Sequence, residues 1–251
     1  MNAKSMFELA NEITRNESNN ISKCKTLVHW VHETFVWNAT DYQSRSVTEI
    51  LERRSGNCAE QARVLESLIN SLGIISRRIA EINIQPPSIQ RQQSAEAMVV
   101  QIGPSASVFG YMHNDHRWLE IQDGHSDEWI PADATLGICG VENWMKERMG
   151  FGARNEVAKD MIVPIMVVVV DGYGRVLIDR SKHYLIDNFT QYAVSKGKRP
   201  DLLSEWAQII DTLSLSAKRA FEGKDNLFKA SSLIQKAYDQ YERIRTPAGF
   251  R

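Results

Sequence analysis

A chain of 251 residues, 43% hydrophobic and 24% charged, has the material for one large domain or a domain and a half. A formal net charge of -1 gives no reason to expect nucleic acid or an anionic membrane surface as a partner. Three cysteines, Cys24, Cys58 and Cys139, are an odd number and too sparse for a disulfide scaffold, which suits a reducing compartment and points to the cytoplasm. The first residues carry no long apolar segment, so no signal peptide is expected. The longest apolar run, residues 162–170, contains Pro164 and is too short to span a bilayer.

Residues 5–14 read as a helix with Met6, Leu9, Ala10 and Ile13 on one face. After the polar break at residues 16–20, a second helix is expected over 21–35, with Cys24 on its apolar stripe. His29 and His32 share that helix, but no Glu or Cys nearby completes a ligand set, so no metal is expected there. A polar loop follows at residues 39–46. Ser46 and Glu49 have capping-box spacing and open a short helix that delivers the chain to Gly56.

Residues 55–74 are the most informative stretch. Gly56 permits a tight turn, and Ser55 or Asn57 can cap the orphan amides of a first helical turn. Ala62, Leu65, Leu68, Ile69 and Leu72 recur at helical spacing, and Gly73 stands where a C′ residue would. Cys58 then opens a helix whose body is buried. Unpaired amides and the helix dipole favour a thiolate at such a position, so the thiol is a candidate nucleophile; the alternative is a small packed hydrophobe.

Beyond Gly73 the chain turns β-rich. Residues 74–84 read as a strand; Arg77 and Arg78 could meet an anionic substrate, but a solvated face is the expectation. A loop at 86–93, a strand at 98–102 and a turn at 103–107 follow. Residues 116–122 alternate as a strand, with His116, Trp118 and Glu120 on one face. Residues 128–133 return beside it as an antiparallel partner, which can bring His116 near Asp133. A short helix is expected around Trp144, and Asp171-Gly172-Tyr173-Gly174 joins two strands as a hairpin. Residues 182–192 can extend the sheet or begin a helix. From 200 to 245 the chain reads as two amphipathic helices divided near Gly223.

A thiol nucleophile needs a base, and the base needs an acceptor that fixes its tautomer. Cys58, His116 and Asp133 are of the right types. Their local wording is more specific than their order. Arg54-Ser55-Gly56-Asn57-Cys58-Ala59-Glu60-Gln61-Ala62, with the glycine stop and the arginine-bearing strand after it, resembles the transglutaminase-like superfamily. His116-Arg117-Trp118-Leu119-Glu120-Ile121 looks like that family's histidine-x-tryptophan-x-glutamate strand. Trp129-Ile130-Pro131-Ala132-Asp133-Ala134-Thr135 looks like its tryptophan-x-x-x-aspartate-x-threonine segment, with Ala134 in place of the usual proline.

The resemblance implies a papain-like α+β fold in which N-terminal helices pack on an antiparallel sheet. It implies a catalytic domain over residues 1–195, with a C-terminal helical extension over 196–251 outside its reach. It implies Cys58, His116 and Asp133 as the catalytic residues, with His113 a rival for the base. Trp37 is placed to help an oxyanion hole, and Trp118 to wall the site or fill the sheet core. No cofactor and no metal are expected, and the partner is a protein or peptide substrate. The implied activity is acyl transfer at amide bonds by hydrolysis, deamidation or transamidation, with hydrolysis as the default. Three alternatives stay open: a cross-linking transglutaminase, an amidase resembling peptide N-glycanases but without their zinc-binding cysteine pairs, and a binding module with a dormant site.

Overall fold

The computed structural model describes residues 3–38, 45–84, 113–122, 124, 127–150, 163–225 and 230–246. They fall into two compact units, Met1–Ile79 with Arg117–Trp144, and Ala80–His116 with Met145–Arg251. The strand expected at 98–102, the connections at 86–93 and 103–107, most of the 39–46 loop and the side chain of His113 lie outside the described residues. No described helix is long and apolar enough to cross a membrane.

In the first unit, α1 (Ala3–Ile13), α2 (Asn20–Thr34) and α3 (Val47–Arg53) pack on α4 (Cys58–Ser71). The starts of α2 and α3 obey local chemistry. Asn19 Oδ1 accepts the Ser22 N–H at 2.9 Å, and Ser46 and Glu49 close the capping box their spacing predicts. α4 stops at Gly73, whose φ of +75° is the left-handed conformation a C′ glycine supplies without strain. The expected stripe is the core: Leu65, Leu68 and Ile69 of α4 are buried with Leu27, Val28 and Val31 of α2 and Ile50 of α3.

Two short strands, β1 (Val36–Trp37) and β2 (Ser55–Gly56), pair in parallel just ahead of α4. The larger sheet contains β3 (Ser76–Ile84), β4 (His113–Gln122), β5 (Trp129–Asp133) and β6 (Ile138–Cys139). Strand order runs β6-β5-β4-β3 through the first unit. β4 and β5 are antiparallel, with Leu119 opposite Ala132, Glu120 opposite Pro131 and Ile121 opposite Ile130. Leu119, Ile121 and Ala132 face the helices and close the core.

Arg77 is not on a solvated face, and Arg78, whose side chain is 39% exposed, is tied down by an ion pair. Arg77 Nε donates to Glu120 Oε2 at 2.6 Å, and its guanidinium lies 3.8 Å over the Trp129 ring. Arg78 grips the Glu66 carboxylate of α4 through Nε at 2.9 Å and Nη2 at 2.6 Å. Alternation along a strand tells which residues share a face. It does not tell which carboxylates a neighbouring element sets opposite them.

In the second unit the order is β3-β7-β8, with β7 (Val163–Val170) buried along its whole length. It turns back into β8 (Val176–Asp179) through the expected hairpin, where Asp171 Oδ1 accepts the Tyr173 and Arg175 amides at 2.9 Å. Residues 182–192 take the helical option: a π-helix at Lys182–Asn188 runs into α6 (Phe189–Ser195), after α5 (Val141–Arg148) earlier in the chain. α7 (Pro200–Phe221) starts on the proline that suits a first helical position, packs on β7 and carries α8 (Ser231–Arg245). Phe189, Trp206 and Tyr241 form a buried aromatic cluster with ring centroids 5.5 to 6.2 Å apart.

Glu120 is fully buried, so its pairing with Arg77 is testable. Arg77→Ala should cost about 3 to 5 kcal/mol in urea unfolding, whereas the double substitution Arg77→Met with Glu120→Leu should stay within about 2 kcal/mol of the native chain. Equal losses would mean that packing, and not the charge pair, holds β3 to β4.

Candidate active site

Cys58 is the first residue of α4 and is half-buried. Its surroundings are built by its sequence neighbours. Asn57 Oδ1 accepts the Glu60 N–H at 3.0 Å, and Glu60 Oε2 accepts the Asn57 N–H at 3.1 Å. This second capping box spans Cys58, and the Asn57-x-x-Glu60 spacing that signals it was open to sequence reading. Glu60 Oε1 also accepts Arg45 Nη1 at 2.9 Å. A Cβ on Gly56 would stand 2.9 Å from both Glu60 Cβ and Glu60 Oε2, so glycine is required for the carboxylate to fold back. The Gly56 carbonyl accepts from the Asn38 N–H and from Gln61 Nε2, each at 3.1 Å.

The peptide leading into Cys58 is therefore held from β1, from α4 and by the cap. Arg45 and Gln61 are supporting residues that sequence reading missed. Neither belongs to a recognisable spacing, and both act through folding-dependent contacts. With the Glu60 N–H taken by Asn57 Oδ1, the Cys58 and Ala59 amides of the first turn have no intrahelical acceptor, and the dipole of a 14-residue helix is positive at this end. A negative charge developing beside the Cys58 sulfur would meet donors already in place.

Trp37 lies opposite Gly56 in the β1–β2 register, which brings it to the approach to Cys58. Trp37 is 59% exposed. Trp118 is 1% exposed and tilts against Trp144 with ring centroids 5.6 Å apart, so it is part of the interior packing.

Asp133 ends β5 and is fully buried. Its Oδ1 accepts the Thr135 N–H at 3.0 Å and the Leu136 N–H at 3.3 Å, a short side-chain-closed turn. His116 is 9% exposed on β4 and immediately precedes Arg117, where the first unit resumes. Cys58, Trp37, Trp118 and Asp133 belong to the first unit, and His116 is the last residue of the second unit's opening segment.

The remaining candidates have other surroundings. Burial pushes the Cys139 thiol up to about 11, and Cys24 is fully buried in the helical core. No disulfide joins the three cysteines. His32 Nδ1 lies 3.0 Å from the Thr135 carbonyl oxygen. Among the described residues no group of three or more His, Cys, Asp or Glu side chains is disposed to hold a metal.

A family model described as the transglutaminase-like superfamily matches residues 8–134, a span that contains Cys58, His116 and Asp133. Solved structures similar to the chain include a proposed cysteine protease from Cytophaga hutchinsonii, 16% identical over 53% of this chain and 37% of that one, with a TM-score of 0.35. A proposed protease from Parabacteroides distasonis is 12% identical over 66% of this chain and 26% of that one, TM-score 0.37. Legionella pneumophila LapG is 11% identical over 76% and 96%, TM-score 0.38. The chain thus spans 37% and 26% of the lengths of the first two. No curated protein matches it.

The three thiols should separate in a labelling experiment. Iodoacetamide at about pH 8 should modify Cys58 first, because Cys139, with its thiol pushed up to about 11, carries only on the order of one part in a thousand thiolate at that pH. Peptide mapping of the alkylated cysteines over time reads the order. Cys139 or Cys24 labelling ahead of Cys58 would contradict the assignment of the accessible thiol.

Proposed function

The chain belongs to the transglutaminase-like superfamily, and from that premise we propose that it is a cysteine-dependent enzyme acting on amide bonds of a protein or peptide, with hydrolysis as its reaction. The observation that carries the reading is the seat of Cys58: a half-buried cysteine on the first residue of a helix closed by a capping box, just after a backbone fixed at Gly56.

In the proposed reaction the Cys58 sulfur attacks the amide carbon as its proton passes to His116. The carbonyl oxygen becomes an oxyanion, and the Cys58 and Ala59 amides that open α4, Cys58 foremost, are the donors assigned to it. The C–N bond then breaks, with His116 returning the proton to the leaving amine. A thioester on Cys58 remains. Water, deprotonated by His116, attacks it; the C–S bond breaks, the acid leaves and the thiol is restored. Asp133 orients the imidazole and stabilises its cation.

Strand geometry supports the pairing of base and carboxylate. Alternation puts His116 on the β4 face of Trp118 and Glu120. It puts Asp133 on the β5 face of Pro131, the residue opposite Glu120. We assign Asp133 Oδ2 to the imidazole, since the backbone amides of the turn go to Oδ1. Trp37, exposed and level with Gly56, is assigned to the substrate side of the thiol.

The test is turnover of a fluorogenic peptide-amide library, with and without an added primary amine. Cys58→Ala should abolish turnover. His116→Ala should lower kcat by about a thousand-fold or more, and Asp133→Asn by at least about ten-fold, with KM little changed. Hydrolysis predicts free acid as product even with amine present. Amine incorporation in its place would move the assignment to transamidation, and turnover surviving in Cys58→Ala would refute the proposal.

A further inference from the structure

We infer that His32 is a positioning residue for the site: through one peptide unit of the turn after β5 it fixes the carboxylate of Asp133. The inference rests on the role proposed above for Asp133.

His32 sits on α2, far from the site in sequence, and its Nδ1 is 3.0 Å from the Thr135 carbonyl oxygen. A carbonyl oxygen only accepts, so Nδ1 carries the proton and donates. That carbonyl and the Leu136 N–H belong to the same planar peptide. The Leu136 N–H donates to Asp133 Oδ1 at 3.3 Å. The chain of contacts thus runs from the imidazole of His32, across a rigid peptide, to the carboxylate. Each bond in such a chain polarises the next.

Two features bear on this outside hold. Gly137 has a φ of +68°, and a Cβ there would stand 2.8 Å from His32 Cδ2 and 2.9 Å from Cγ, so the ring lies directly over the glycine. The turn's own hydroxyl does not help: among the described residues Thr135 Oγ1 is buried without a hydrogen-bond partner. His32 itself is exposed, so its removal costs little packing and isolates the hydrogen bond.

The experiment compares His32→Ala, His32→Asn, Gly137→Ala and the double variant His32→Ala with Gly137→Ala. Asparagine can place an amide N–H near the position of Nδ1. Two readouts are taken: exchange of the Leu136 amide by NMR, and kcat and KM on the peptide-amide substrate. His32→Ala should speed Leu136 exchange about ten-fold and lower kcat about ten-fold, with KM within about two-fold. His32→Asn should recover most of both. Gly137→Ala, which also strains a left-handed backbone, should lower kcat at least as far, and the double variant should fall no further than Gly137→Ala alone, because that change has already displaced His32.

Unchanged Leu136 exchange in His32→Ala overturns the inference, as does faster exchange with kcat unmoved, or a loss confined to KM. A chain with no turnover at all counts against the proposed function and not against His32; there the Leu136 exchange decides alone, accelerated exchange supporting the link and unchanged exchange refuting it.

Discussion

One carboxylate governs the approach to Cys58. Glu60 folds back onto the Asn57 amide, reaches Arg45 and occupies the space that a side chain on residue 56 would need. With Glu60 in place, glycine is forced at 56, the chain must enter α4 through one path, and the thiol stands on the first helical residue. A cap of this kind is ordinarily a matter of about 1 kcal/mol of helix stability. Here it also sets where the sulfur and the first-turn amides stand, the groups to which the proposed chemistry is assigned. The burial of Leu65, Leu68 and Ile69 against α2 and α3 then keeps the helix from moving under its cap.

The carboxylate end is built by the same device in a different setting. Asp133 terminates a strand, its carboxylate accepts the Thr135 and Leu136 amides, and the chain turns back through Gly137 into β6 of the same sheet. A strand register alone gives the position of a backbone; the turn gives the orientation of the oxygen atoms. Both ends of the proposed machinery are thus held by short side-chain-to-backbone bonds, which lose little entropy when formed because the groups are close in sequence. The family match covers both ends and stops at residue 134, ahead of the buried β7 and the helices that pack on it.

What was legible in the sequence was local. The Ser46–Glu49 box, the Gly73 stop, the Asp171–Gly174 hairpin and the apolar stripe of α4 each follow from residues within a turn or two of one another. The antiparallel return of β5 on β4 was readable because alternation and strand spacing are also local signals. Long-range partners were not readable. Arg77 and Arg78 looked like solvated charges because nothing in their own strand names Glu120 or Glu66. His32 looked like half of an incomplete metal pair, whereas its partner is a backbone carbonyl on a distant turn. Residues 182–192 were undecided between sheet and helix because a short mixed apolar stretch satisfies both periods; the packing of β7 and α7 around it settles the matter.

The most direct measurement is intact-mass spectrometry of the protein quenched in acid seconds after mixing with an activated peptide ester. Covalent catalysis at Cys58 predicts a protein heavier by the acyl group, the added mass mapping to the Cys58 peptide and decaying as water releases it, and no adduct in Cys58→Ala. Substrate consumed while Cys58 stays unmodified, or an adduct that maps to another residue, would contradict it.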